Sequence, residues 1–160
     1  MKKPLALLFA STLALALSAT ASFAQVVRPS PDFALESGKS IKSLRGQPVV
    51  LLVAPSPRSR AFRKQLKRFE EAYEGFAARG TIFVAAFTED SEGLRSNIPF
   101  AVARDGAAVA AAYKVPGPFA LAVIGKDGNL DLITSEVSGV YKAMDAIRNN
   151  AALQAAERRS

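Results

Sequence analysis

The stretch Ser56-Pro57-Arg58-Ser59-Arg60 sets two hydroxyls beside two guanidinium groups. Arginine forks bind carboxylates and phosphates, and a serine beside such a fork is a candidate nucleophile for acyl or phosphoryl transfer. That chemistry needs a base within hydrogen-bond reach to take the serine proton. The 160 residues contain no histidine and no cysteine. A Ser-His-Asp triad, a Cys-His dyad, a disulfide, a thiolate nucleophile and any metal site built on histidine or thiolate are therefore excluded. Binding is the expected role, with non-thiol chemistry on an anionic substrate left as an alternative. Ser56, Arg58, Ser59 and Arg60 form a candidate anion site with no catalytic residue, no metal and no cofactor assigned to it. The structural alternative makes Ser56 simply the N-cap of a helix opened by Pro57, a role worth about 1 kcal/mol.

The charge around this stretch points the same way. Between Glu36 and Glu70 there are nine lysines and arginines and not one acid. Six of them run from Arg58 to Arg68. Arg60, Lys64 and Lys67 follow each other at spacings of four and three, so a helix would line them on one face. Cations near a helix N-terminus oppose the macrodipole at roughly 0.3–1 kcal/mol each, yet together with free backbone N–H groups they attract an anion. The alternative is a solvated face paired with Glu70, Glu71 and Glu74. No aromatic residues interleave this face and no glycine-rich phosphate loop precedes it, so nucleic acid is not an expected partner. The acidic group Glu89, Asp90 and Glu92 lacks the spacing of a calcium loop and reads as solvated loop.

The first residues address the chain. Lys2 and Lys3 precede an apolar run from Leu5 to Leu17, and small residues follow from Ser18 to Ala24. This is the pattern of a secretory signal peptide, with cleavage expected after Ala24, or else after Ala21. The run is short for a membrane span, which takes about 20 apolar residues, and no second run is longer. The expectation is a periplasmic or secreted chain without stable membrane insertion. It divides into a signal peptide (1–24), one domain (25–150) and a tail (151–160). Without the two signal lysines the net charge falls from +7 to +5.

The elements that must position the basic stretch follow from hydrophobic periodicity. Val49 to Ala54 is a continuous apolar run, fitting a strand buried on both faces. Phe62, Leu66, Phe69, Tyr73 and Phe76 recur at helical spacing, and Gly80 is placed to stop that helix. Thr81 to Phe87 is a second buried strand, and Thr88 to Asn97 a loop or short helix. Pro99 to Ala103 is extended, and Asp105 is placed to cap a helix over Ala107 to Tyr113. Phe119 to Ile124 and Leu130 to Thr134 form a hairpin around Gly125–Gly128. A last helix starts at Val137. Near the start, Phe33–Leu35 and Ser40–Lys42 form a small hairpin. A strand–helix–strand unit requires a parallel pair and the hairpin an antiparallel one. The result is an α/β fold with a mixed central sheet and helices on both faces.

Three groups of residues carry a family resemblance. Pro31-Asp32-Phe33-Ala34-Leu35 with Gly38, Ile41 and Leu44-Arg45-Gly46-Gln47-Pro48 resembles the beginning of the redoxin and peroxiredoxin branch of the thioredoxin-like superfamily. Pro99-Phe100, Asp105-Gly106, Ala112-Tyr113-Lys114-Val115 and Lys126-Asp127-Gly128 resemble its second half. Ala54-Pro55-Ser56, Gln65 and Ile124-Gly125-Lys126-Asp127-Gly128 are also similar to exported thioredoxin-like domains of unknown function that lack the redox motif. The resemblance implies a three-layer thioredoxin-like fold. It also implies a reactive corner between the Val49–Ala54 strand and the next helix, where redoxins carry a Cys-x-x-Cys or a lone peroxidatic cysteine. Here Ser56 and Ser59 stand at that spacing. The family's cis-proline slot falls on Phe119, with Pro118 one residue early, so a cis Gly117–Pro118 bond is open, and Pro118 joins Ser56, Arg58, Ser59 and Arg60 in the candidate binding site. The expected function is a redox-inactive binding or accessory domain of the cell envelope, facing an anionic ligand or an acidic protein. The alternatives are a non-thiol enzyme acting on an anionic substrate and a basic adhesive protein of the envelope surface.

Overall fold

The computed structural model describes residues 28–159, the side chains of 151–153 excepted. The expected signal peptide lies outside them. Five strands form one sheet in the order β3-β2-β1-β4-β5. β1 (Val49–Ala54) lies at its centre, parallel to β2 (Ile82–Phe87) and antiparallel to β4 (Ala120–Ile124). β3 (Phe100–Val102) extends the parallel side, and β5 (Leu130–Thr134) closes the other edge as the second arm of a hairpin with β4. The helices are α1 (Arg60–Glu71), α2 (Tyr73–Ala77), α3 (Gly106–Ala112) and α4 (Val140–Glu157). No helix among the described residues is long and apolar enough to cross a membrane.

The unbroken apolar run of β1 is a consequence of its central place. Its side chains alternate between two cores. Val50, Leu52 and Ala54 join Phe62, Leu66, Phe69, Phe76, Ala143 and Ile147 beneath α1, α2 and α4. Val49, Leu51 and Val53 join Leu35, Ile41, Val109 and Tyr113 beneath α3 and the N-terminal segment. Each face of the sheet is thus covered, giving three layers. Phenylalanine rings dominate the first core: Phe69, Phe76 and Phe83 meet at centroid distances of 5.3–5.4 Å. Removing one such buried ring costs about 3–5 kcal/mol. On the other face α3 starts so close to β2 that a Cβ at Gly106 would stand 2.0 Å from the Phe87 carbonyl oxygen. Asp105 caps α3 as expected, accepting from the Ala108 N–H at 2.9 Å.

Several expectations change in detail. The N-terminal hairpin shrinks to one antiparallel bridge, Ala34 to Ser40, because its return arm becomes a 3-10 turn at Ile41–Leu44. The cause is Ser40, whose Oγ accepts from the Lys42 N–H and donates to Asp32. A serine bonded to its own backbone two residues on starts a turn in place of a strand. The aromatic helix is interrupted at Ala72 and resumes as α2. Thr88 to Asn97 is irregular, and α4 starts at Val140, after an N-cap at Gly139, and passes residue 150 to end at Glu157.

Candidate functional site

The basic stretch emerges from the middle of the sheet. β1 ends at Ala54, level with Phe87 on β2. On its other side β1 pairs with β4, whose first residue Ala120 stands opposite Val53. The loop after β2 seals one side: Thr88 donates to the Ala54 carbonyl, and Glu89 and Asp90 donate to that of Pro55, at 2.9–3.2 Å.

Ser56 and Ser59 are the two ends of one turn, closed by the Ser59 N–H on the Ser56 carbonyl at 3.1 Å. Pro57 and Arg58 are its corners. The expected N-cap role of Ser56 is therefore corrected: α1 is preceded by Ser59 and begins at Arg60. Proline's fixed φ suits the second position of a turn as well as the first position of a helix, and here the turn wins. Ser59 makes no side-chain capping bond, and its Oγ is buried without a partner. Among the described residues neither serine hydroxyl hydrogen-bonds a carboxylate, a lysine or a tyrosine.

Arg58, Arg60, Arg63, Lys64 and Lys67 are exposed, and Arg68 is half-buried. The Arg58 guanidinium lies over Gly93, with Nη2 3.6 Å from where a Cβ would stand. Among the described residues none of the six cations has an acid within 4.0 Å; ion pairs lie elsewhere, at Lys42–Asp32 and Arg148–Asp145. The expected partner Glu70 is engaged elsewhere, accepting from the Asn97 N–H at 2.9 Å. Asp90 accepts from the Glu92 N–H within its own loop. No cluster of three acids suited to a metal occurs among the described residues. Ser56, Arg58, Ser59 and Arg60 thus come together in one turn and the first turn of α1. Pro118, two residues before β4, is exposed, and every peptide bond of the described chain is trans, Gly117–Pro118 included.

Two contacts escaped the sequence reading, which named Gln65 and Tyr113 for the family resemblance and not for these bonds. Gln65, wholly buried on α1, clamps the backbone of Ser138 at both ends: its Oε1 accepts from the N–H at 2.8 Å and its Nε2 donates to the carbonyl at 3.1 Å. A polar residue on an apolar helix stripe was the available signal. Tyr113, buried at the end of α3, bonds Ser30 and the Pro31 carbonyl through its hydroxyl. Burial pushes its phenol up to about 12, against the Ser30 hydrogen bond and with the nearby Asp32 charge adding to the rise.

No protein-family model matches the chain, and no curated protein matches it by sequence. Solved structures do match in fold. A Chlorobium tepidum protein named as the thiol:disulfide interchange protein DsbE superposes with a TM-score of 0.60 at 20% identity, over 81% of this chain and 96% of that one. The mitochondrial 2-Cys peroxiredoxin of Plasmodium falciparum gives 0.61 at 15% identity, over 81% and 96%. Peroxidoxin BcpB of Mycobacterium tuberculosis gives 0.58 at 18%, over 77% and 94%. The chain has the fold of the thioredoxin-like superfamily, built without a single cysteine.

Proposed function

We propose that this chain is an exported thioredoxin-like domain of the cell envelope that acts by binding, without thiol redox activity, and that its working surface is the basic corner at the start of α1. One observation carries the reading. At the corner where the resembled redoxins keep their cysteines, this chain presents a Ser-Pro-Arg-Ser-Arg turn whose cations have no acid within 4.0 Å. Uncompensated guanidinium groups beside a helix N-terminus attract carboxylates and phosphates. The ligand class is an anionic molecule or the acidic surface of an envelope protein. The tripartite N-terminal pattern supports export to the periplasm or beyond.

The test uses the chain from Gln25 onward, since the described fold begins at Arg28. Retention on an immobilised polyanion is expected to fall in Arg58→Ala/Arg60→Ala and to stay unchanged in Arg148→Ala. Equal elution of all three proteins refutes the corner as the working surface. If Arg63→Ala/Lys64→Ala/Lys67→Ala weakens binding to anionic vesicles while the corner variant does not, the adhesive reading replaces it. Reduction of insulin or turnover of peroxide by the pure protein refutes redox inactivity.

A further inference from the structure

β5 carries a bulge. Val123 pairs with Leu132 but Ile124 pairs with Leu130, so Asp131 is an extra residue in the ladder. In a regular strand Asp131 and Leu132 would point to opposite faces. Here Leu132 packs beneath α1 and α4, Leu130 packs on the other face, and Asp131 also reaches α4, where its Oδ1 lies 3.3 Å from Asn150 Nδ2. Bulges re-aim side chains in this way. The same Asn150 amide donates to Asp127 Oδ2 at 3.1 Å, so one carboxamide serves two carboxylates. Asn150 is 5% exposed. The cluster is tight: a Cβ at Gly125 would stand 2.3 Å from Asn150 Nδ2 and 2.5 Å from Asp131 Oδ2. Two of its oxygens, Asp131 Oδ2 and Asn150 Oδ1, are buried without a hydrogen-bond partner.

We propose that Asp131, Asn150 and Asp127 form a proton-operated latch that holds the C-terminal half of α4 on the β4–β5 hairpin, closed when Asp131 is protonated and loosened when it is ionised. Both orphan oxygens are acceptors. A proton on Asp131 Oδ2 makes it a donor, and Asn150 Oδ1 is the acceptor that lacks one. An ionised Asp131 instead sets a second negative charge beside Asp127 and leaves its own Oδ2 unsatisfied.

The surroundings assign the proton to one residue. Burial pushes the Asp131 carboxyl up to about 6, with the Asp127 charge adding and the Asn150 hydrogen bond opposing. Asp127 is also partly buried, but hydrogen bonds from the Asn129 backbone and side chain and from Asn150 hold it below the ordinary carboxylate range. Asp127 therefore stays charged while Asp131 titrates. The other charged groups nearby are Lys126 on the hairpin and Glu157 and Arg158 on α4, which line an open hollow with Asp127. Arg45 lies across Gly128 from the other side. The N-terminal end of α4 has its own fastening in Gln65 and Ser138, so release is confined to the turns around and beyond Asn150.

Amide hydrogen exchange of the 150–157 segment, corrected for intrinsic rates and measured at pH 5 and pH 7.5, tests the latch. Protection is expected to fall about tenfold at the higher pH, less than the full shift of Asp131 allows because the residue as a whole is only partly buried. Asp131→Asn, permanently neutral and able to donate, is expected to keep high protection at both pH values. Equal protection of the unaltered protein at the two pH values overturns the proposal, and so does a persisting drop in Asp131→Asn. Should that variant misfold, the ¹³C carboxyl titration of Asp131 in the unaltered protein decides: a midpoint near 4 overturns the latch, and one near 6 supports it.

Discussion

Replacing Gln65 with leucine should unfasten α1 from α4 without opening a cavity. Leucine has nearly the volume of glutamine and suits a fully buried site, but it can neither accept from the Ser138 N–H nor donate to the Ser138 carbonyl. Ser138 is itself buried, at 8% exposure, so water does not replace the lost bonds. Each orphaned backbone group costs about 1–3 kcal/mol. Burying leucine in place of an amide returns roughly 1–2 kcal/mol. The net expectation is a loss of about 2–3 kcal/mol, which in a domain of this size lowers the melting temperature by roughly 6–15 °C. Urea unfolding at pH 7, followed by far-ultraviolet circular dichroism, measures it. Gln65→Glu is the informative companion. Its ionised carboxylate accepts from the Ser138 N–H but faces the Ser138 carbonyl with no proton to give, so it should be the less stable at pH 7 and recover toward pH 4. A Gln65→Leu protein within about 0.5 kcal/mol of the parent would refute the clamp.

Three further outcomes follow from the same structure. Ser59→Ala should leave stability within about 0.5 kcal/mol, unlike the loss of about 1 kcal/mol at an ordinary cap, because the Ser59 Oγ makes no bond to lose; Ser59→Asp should raise the urea midpoint by supplying the missing cap and opposing the basic first turn. Gly106→Ala drives a methyl into the backbone of Phe87, and calorimetry should find it destabilised by about 3 kcal/mol or more, since backbone cannot swing aside as a side chain does. Asp131 makes stability depend on pH. Its folded-state value is raised, so its contribution is complete below about pH 4 and is lost as pH climbs through about 6. The full shift corresponds to about 3 kcal/mol and solvent screening of this half-exposed group brings it to roughly 1–2 kcal/mol, read as a fall in the urea midpoint between pH 4.5 and pH 7 that Asp131→Asn removes.

How far the sequence speaks for the structure depends on whether a residue's role is local. Val49–Ala54 was legible because a strand buried on both faces has to be apolar at every position. Asp105 and the Gly125–Gly128 turn were legible because caps and turns are made by neighbours. The start of α1 was misplaced by one turn because Pro57 satisfies two local geometries equally, and only the Ser56–Ser59 turn decides between them. The break at Ala72 has no marker in an alanine. The bulge at Asp131 was hidden in a strand that alternates normally on paper, and its partner Asn150 lies on another element. The basic face was visible as a run of charges. That Glu70 turns away from it, toward Asn97, was not, because that bond crosses from α1 to a loop.

The meeting of the N-terminal segment with the outer strand changes how much of the sheet's edge is open. Leu130 donates to the Arg28 carbonyl, Ser30 donates to the Gly128 carbonyl, and Pro29 bridges Asn129, so the leader lies along the start of the sheet's last edge. An exposed edge strand is a template for other chains. The leader covers part of this one with a strip that cannot itself be extended, because Pro29 and Pro31 have no N–H to offer. The segment that follows the expected export signal is thus a partial guard of that edge. A cut after Ala24 leaves Gln25, Val26 and Val27 ahead of it, and a cut a few residues further on would remove the guard along with the signal.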